Sequence, residues 1–203
     1  MELPEQMERV YMDGLGRVIT DNRIKGMFPQ KMVDNMQKDL NQYKRYKEVL
    51  GDSIGSLAKF GQMKYNDSEM WKFLQLDYER QKELKSHPEL KLPNLENLVV
   101  SDTKFTKYLF GGENERGLAK GKAFSDRLGY NLGNWKELQK EICERAGRYP
   151  AYYRDNNGYG DRYEQKIIIY GKKGMPANVV VGWMTRQDDT TSMSSTYIKE
   201  IKK

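Results

Sequence analysis

Three cations, Lys120, Lys122 and Arg127, crowd the stretch LAKGKAFSDRLGY at residues 118–130, with few acids between them. At helical spacing Phe124, Leu128 and Tyr130 turn one side toward a core and leave the cations on the other. Such a face suits phosphate. Lys120 and Lys122, separated by Gly121, also fit a helix start, where backbone amides add to the attraction. A solvated basic face is the plainer reading of the same residues. Further on, Tyr163, Gln165 and Lys166 share one β-patterned segment, and Thr196 and Tyr197 share another. They offer hydroxyl, amide and ammonium groups, although one packed and one exposed residue in alternation accounts for Thr196 and Tyr197 equally well, and the solvent side of a strand is the plainer reading of Gln165 and Lys166. Tyr152, Tyr153, Tyr159 and Tyr163 surround Arg154 and Arg162, a set able to stack on bases or fill a partner's pocket. Packing beside strands is the ordinary use of such tyrosines.

Composition bounds what these residues can serve. The chain has 203 residues and a net charge of +6. Lys and Arg balance Asp and Glu over residues 1–100, so the whole excess falls in residues 101–203. A cationic second half favours a polyanionic partner such as nucleic acid. Charged residues make up 32% and mean hydropathy is −0.89, yet aromatics reach 11%, enough for a folded core. One histidine and one cysteine exclude the usual zinc site and any internal disulfide. Cys143 in KEICERAG reads as a buried thiol, and His87, beside Pro88, as a surface or capping residue without an acid–base partner. GGENERGLAKGKAF lacks the ending of a phosphate-binding loop of the Walker type. No metal and no cofactor is expected. No apolar run reaches membrane-span length, and MELPEQMERV lacks the blocks of a secretory signal, so the expected setting is intracellular.

The elements that must position these groups follow from periodicity. A helix broken at Gly14 and Gly16 is expected over residues 4–21, and a second, with Met32, Met36, Leu40, Tyr43 and Val49 as its stripe, runs to Gly51. Residues 52–61 read as a loop and 68–87 as a helix capped by Asp67 or Ser68. PELKLPNLENLVV, with Pro88 and Pro93, reads as an extended connector, which divides the chain into a helical region at 1–92 and a basic domain at 93–203. Helices are expected near 103–112, 118–128 and 135–146, then strands near 151–153, 163–170, 178–185 and 194–201. The fold class is α+β, with helices packed on one face of an antiparallel sheet.

KFTKYLFGG, KGKAFSDRLGYNLGNWKELQKEI, YEQKIIIYG, NVVVGWMT and SSTYIKEIK together resemble an uncharacterised toxin-like domain found at the ends of bacterial polymorphic toxins and phage head proteins. YKRYKEVLGD, FGQMKYNDSEMWKFLQLDYERQ and HPELKLPN are similar to the tail of phage minor head proteins of the Mu F type. The toxin-like domain is in turn distantly similar, at the level of fold, to ribonucleases of the barnase, colicin and RelE kinds. The resemblance implies a phage or prophage effector that cuts host RNA without a metal, in the host bacterial cytoplasm or carried in the virion. Metal-free cleavage needs a group to take the 2′-hydroxyl proton, a group to protonate the leaving 5′-oxygen and cations to hold the phosphorane. With no histidine in this half, Lys122, Arg127, Thr196 and Tyr197 are the candidate catalytic residues, and Lys120, Arg154, Arg162, Tyr163 and Lys166 the candidate RNA-binding residues. An ADP-ribosyltransferase reading through Glu200 lacks its second acid two residues away. Two non-enzymatic readings stay open: a protein that binds and blocks a host nuclease or nucleoprotein, and an inert virion component. A host protein or a cognate immunity protein is the expected protein partner.

Overall fold

A computed structural model describes residues 26–202. The helix expected over 4–21 lies outside the described residues. The fold is α+β, with helices in the N-terminal half and the sheet in the C-terminal half. The chain divides into two units, Met1–Leu74 and Gln75–Lys203.

In the first unit, α1 (Gln30–Leu50) starts after Pro29 and stops at Gly51, whose φ of 72° is available to a residue without a side chain. Its buried positions are Val33, Met36, Asp39 and Tyr46; of the expected stripe, Met36 is fully buried, Met32 and Leu40 pack beside it and Tyr43 meets Phe60 edge-on. Asp39 is buried because Lys64 (2.6 Å) and the Tyr65 hydroxyl (2.5 Å) donate to its carboxylate from the next helix. That helix, α2 (Leu57–Asn66), begins four residues before the expected loop ends. Ser56 accepts the Lys59 amide and caps it, and Phe60 meets both members of the stacked Tyr46–Trp71 pair edge-on. α3 (Ser68–Ser86) follows, and the division between units falls within it.

The second unit is built on a five-stranded sheet: β1 (Leu98–Val99), β2 (Ala151–Asn156), β3 (Asp161–Tyr170), β4 (Pro176–Thr185) and β5 (Thr191–Ile198), in the order β1-β5-β4-β3-β2. β2 to β5 form the antiparallel meander read from the sequence. The added β1 runs parallel to β5, so the sheet is mixed. Alternate residues Ile167, Ile169, Val179, Val181 and Trp183 turn to one face, where they are buried against Phe105, Phe124, Leu128, Leu138 and Ile142. These helical partners come from α4 (Asp102–Lys104) with the π-helical turn Phe105–Leu109 after it, from α5 (Glu115–Leu128) and from α6 (Trp135–Arg145). Gly121 lets α5 lie against that turn: a methyl group at its α-carbon would be 1.7 Å from the Leu109 carbonyl oxygen.

Helices touch both faces rather than the one expected. Ile168 and Val180 are buried on the second face, where Arg80 of α3 donates to Asn178 (2.8 Å) and Tyr152 donates to Glu83 (2.7 Å). The segment read as an extended connector is instead folded in, with a 3-10 turn at Pro88–Leu90 and Leu92 only 2% exposed in the core of this unit.

Candidate functional site

On the second face, toward the Arg162, Gly182 and Ser195 end of the strands, the sheet carries an open groove of about 360 Å³. Two β-bulges border it. In β2 the register slips between Tyr153 and Asp155, which leaves Arg154 as the additional residue; in β5 Gly182 pairs with Ser195 and Trp183 with Met193, which leaves Ser194 as the additional residue. Because the bulge interrupts the alternation of β5, consecutive serines turn their hydroxyls to the same place. A methyl group on Gly182 would lie 2.8 Å from Ser195 Oγ and 3.0 Å from Ser194 Oγ.

Charges on the opposite rim are paired. Arg154 meets Glu164 at 2.7 Å, and Arg162 holds Asp155 through Nε and Nη2, both at 2.5 Å. The Arg162 hydrogen bond lowers the Asp155 carboxyl below its ordinary range, and Glu164 raises Arg154 above its own. Tyr163 lines the groove and meets the Tyr153 ring edge-on at 5.9 Å. Tyr197 closes the β5 end. Lys120 Nζ lies 5.5 Å from the Tyr197 ring centroid and 5.6 Å from that of Tyr108, a cation between two aromatic rings. Lys166, Val180 and Tyr197 stand in one row across β3, β4 and β5.

The structure thus draws Arg154, Arg162, Tyr163 and Tyr197 together, with Lys120 beside Tyr197 and Lys166 in its row. It does not bring in Lys122, Arg127 or Thr196. Lys122 pairs with Asp126 (2.5 Å) on the exposed side of α5. Arg127 is half-buried and donates through Nε to the Pro176 carbonyl (2.8 Å), which ties α5 to the start of β4. Thr196 is 3% exposed and donates to the Val180 carbonyl (3.1 Å). The helix-start argument for Lys120 and Lys122 also falls, since α5 begins at Glu115 with Asn114 capping Gly117. Gln165, read for the solvent side, is wholly buried and bridges Ala146 O, Tyr149 O and Trp183 Nε1. Sequence reasoning missed Glu164, Gly182, Ser194 and Ser195. The usable signal was a glycine inside VVVGWMT facing a serine pair, the pattern of a bulge.

A family model described as a domain of unknown function, DUF6883, matches residues 91–200, more than half of the chain. The chain belongs to the DUF6883 family. No curated protein and no solved structure matches it. Every residue lining the groove lies inside the DUF6883 match, which runs from the residue before Leu92 to the end of β5 and just beyond.

The DUF6883 fold also takes in a residue from outside that match. Asp77 of α3 is 3% exposed, and its carboxylate accepts from the hydroxyls of Tyr149 (2.5 Å) and Tyr170 (2.7 Å) and from Gln81 (2.8 Å). Arg145 donates to Tyr149 (3.1 Å) and to Glu141 (2.9 Å), and its guanidinium sits 5.5 Å from the Tyr170 ring centroid. Burial, then the Asp77 charge, pushes both tyrosine hydroxyls above their ordinary range. The network is closed and fully bonded, which suits a structural joint between α3 and the sheet.

Proposed function

We propose that the DUF6883 domain of this chain binds single-stranded RNA in the sheet groove and cleaves it without a metal, as the toxin-like part of a phage or prophage effector acting on host RNA. The observation that carries the reading is that Arg154, Arg162, Glu164 and Tyr197 line one open groove, with Lys120 against the Tyr197 ring. Arg154 and Arg162 exchange their carboxylate partners for phosphate oxygens and hold the charge of the phosphorane. Glu164, released from Arg154, takes the proton of the 2′-hydroxyl as that oxygen attacks phosphorus. Tyr197 gives its proton to the departing 5′-oxygen. The products are a 2′,3′-cyclic phosphate and a 5′-hydroxyl end, with one proton accepted and one supplied. Lys122, Arg127 and Thr196 have no part in this scheme, because their hydrogen bonds hold them elsewhere.

The test is incubation of the full chain with end-labelled single-stranded RNA in the presence of a chelator. Fragments ending in cyclic phosphate are expected, and Tyr197→Phe and Glu164→Gln each lose at least a hundredfold in rate, the usual scale for one acid or base. Intact RNA that shows no retention by the protein overturns the proposal.

A second reading is favoured by one observation. Tyr152, Tyr153 and Tyr159 are 42%, 57% and 76% exposed around the sheet's β2 edge, a density of aromatic surface typical of protein contacts. In that reading the domain blocks a host nuclease or nucleoprotein, or docks an immunity protein. A complex that co-purifies with intact RNA and is lost with Tyr153→Ala and Tyr159→Ala supports it over cleavage.

A further inference from the structure

Ser194 and Ser195 are adjacent in sequence, yet both hydroxyls approach the space above Gly182. In an unbulged strand they would point to opposite faces. Neither hydroxyl makes a hydrogen bond to another described residue. The empty volume exists only because position 182 is glycine, and the pairing partner on its other side is Glu164, which is tied to Arg154. Two O–H donors without an acceptor among the described residues, across the groove from two arginine–carboxylate pairs, fit an acceptor that takes more than one hydrogen bond and can draw an arginine from its carboxylate.

We propose that Gly182, Ser194 and Ser195 form a seat for one non-bridging phosphoryl oxygen, which fixes where a phosphate stops in the groove. This deepens the RNA reading and rests on it for the source of the phosphate; an inorganic phosphate ion or a phosphodiester of RNA presents the same oxygen. The seat acts through hydroxyl donors and leaves the catalytic groups untouched. Its size is set by the absent side chain. An alanine at 182 meets only the two rotatable hydroxyls within 3.4 Å, so the strand keeps its place and the hydroxyls turn away.

The experiment titrates the full chain with inorganic phosphate and, separately, with single-stranded RNA lacking terminal phosphates, and follows backbone amides by NMR. The expected result is that the amides of Gly182, Ser194 and Ser195 shift with both ligands. Gly182→Ala weakens both by about tenfold or more, the loss of a hydrogen bond to a charged acceptor. The double variant Ser194→Ala with Ser195→Ala does the same, which covers the case in which Gly182→Ala fails to fold. Wild-type affinity for both ligands in the double variant overturns the seat. If RNA binds and the Arg154→Ala variant weakens it while the serine variants do not, the seat fails and the RNA reading stands. If phosphate shifts these three amides but RNA does not bind, the RNA reading fails and the seat stands.

Discussion

Tyr149 and Tyr170 make the stability of the second unit depend on alkaline pH. Both hydroxyls are buried beside the Asp77 carboxylate and are held above their ordinary range. Tyr152, more exposed, is pushed up to about 12 by burial and by Glu83. In the unfolded chain such groups ionise near pH 10. Since the folded form binds these protons more tightly, the stabilisation is complete below about pH 10 and is lost as pH rises above it. Denaturant unfolding above pH 10 should show stability falling ever more steeply, toward a slope of roughly 1.4 kcal/mol per pH unit for each fully protected tyrosine. Tyr149→Phe with Tyr170→Phe should flatten that slope, and an unchanged slope would show that other groups govern it. Asp77→Ala leaves several donors without an acceptor and should cost about 3 kcal/mol in urea unfolding at neutral pH. At the groove, Lys120→Ala should reduce the slope of log affinity for RNA against log salt by about 0.7, the share of one phosphate contact on a single strand. None of the Asp77 network was legible from residue spacing. An aspartate on a helix otherwise rich in charge looks solvated, and only tertiary structure shows that two tyrosines more than seventy residues away donate to it.

Periodicity carried the elements well where a strong apolar pattern met a clear stop. α1 ends at Gly51 and α5 at Gly129, and both glycines adopt positive φ. β3 and β4 announce themselves as runs of Ile and Val. Missed features depended on single residues. Ser56 starts α2 early by capping it, and β1 has two residues, too few to show an alternation. The close approach of α5 to the π-helical turn rests on Gly121, which sequence reading treated only as a spacer between lysines. Gly121→Ala brings a methyl group against a backbone carbonyl that cannot swing aside, and should lower the melting temperature by more than 10 °C or prevent folding. Gly182→Ala, which meets only hydroxyls, should leave the melting temperature within a few degrees of wild type. The contrast separates a glycine required by packing from one that shapes a surface.

For the molecule as a whole, the DUF6883 match and the folded unit have different beginnings. The match starts at residue 91, whereas the contacts of Asp77, Arg80, Gln81 and Glu83 belong to the unit that starts at Gln75. The prolines at 88 and 93 suggested a division at 92/93 because proline disfavours continuation of a helix, but Leu92 between them enters the core. Residues 75–203 should therefore unfold cooperatively when expressed alone. Residues 91–203 should lose several kcal/mol or expose apolar surface to a hydrophobic dye, because Tyr149 and Tyr170 lose their acceptor. Equal stability of the two fragments would show that α3 is dispensable. Growth arrest of a bacterium by the longer fragment, relieved by Tyr197→Phe, would tie that unit to the proposed activity.

If the groove takes RNA as proposed, its paired rim has a consequence for selectivity. Arg154 with Glu164 and Arg162 with Asp155 leave the unliganded rim without net charge, so a diffuse polyanion finds little long-range attraction there. Entry of a phosphate is an exchange in which a carboxylate must leave its guanidinium, and only a ligand that also satisfies the stranded acid gains from the swap. A ribose hydroxyl can do so, as a donor to the released Glu164. The neutral rim would then discriminate RNA from DNA through the one hydroxyl by which their backbones differ.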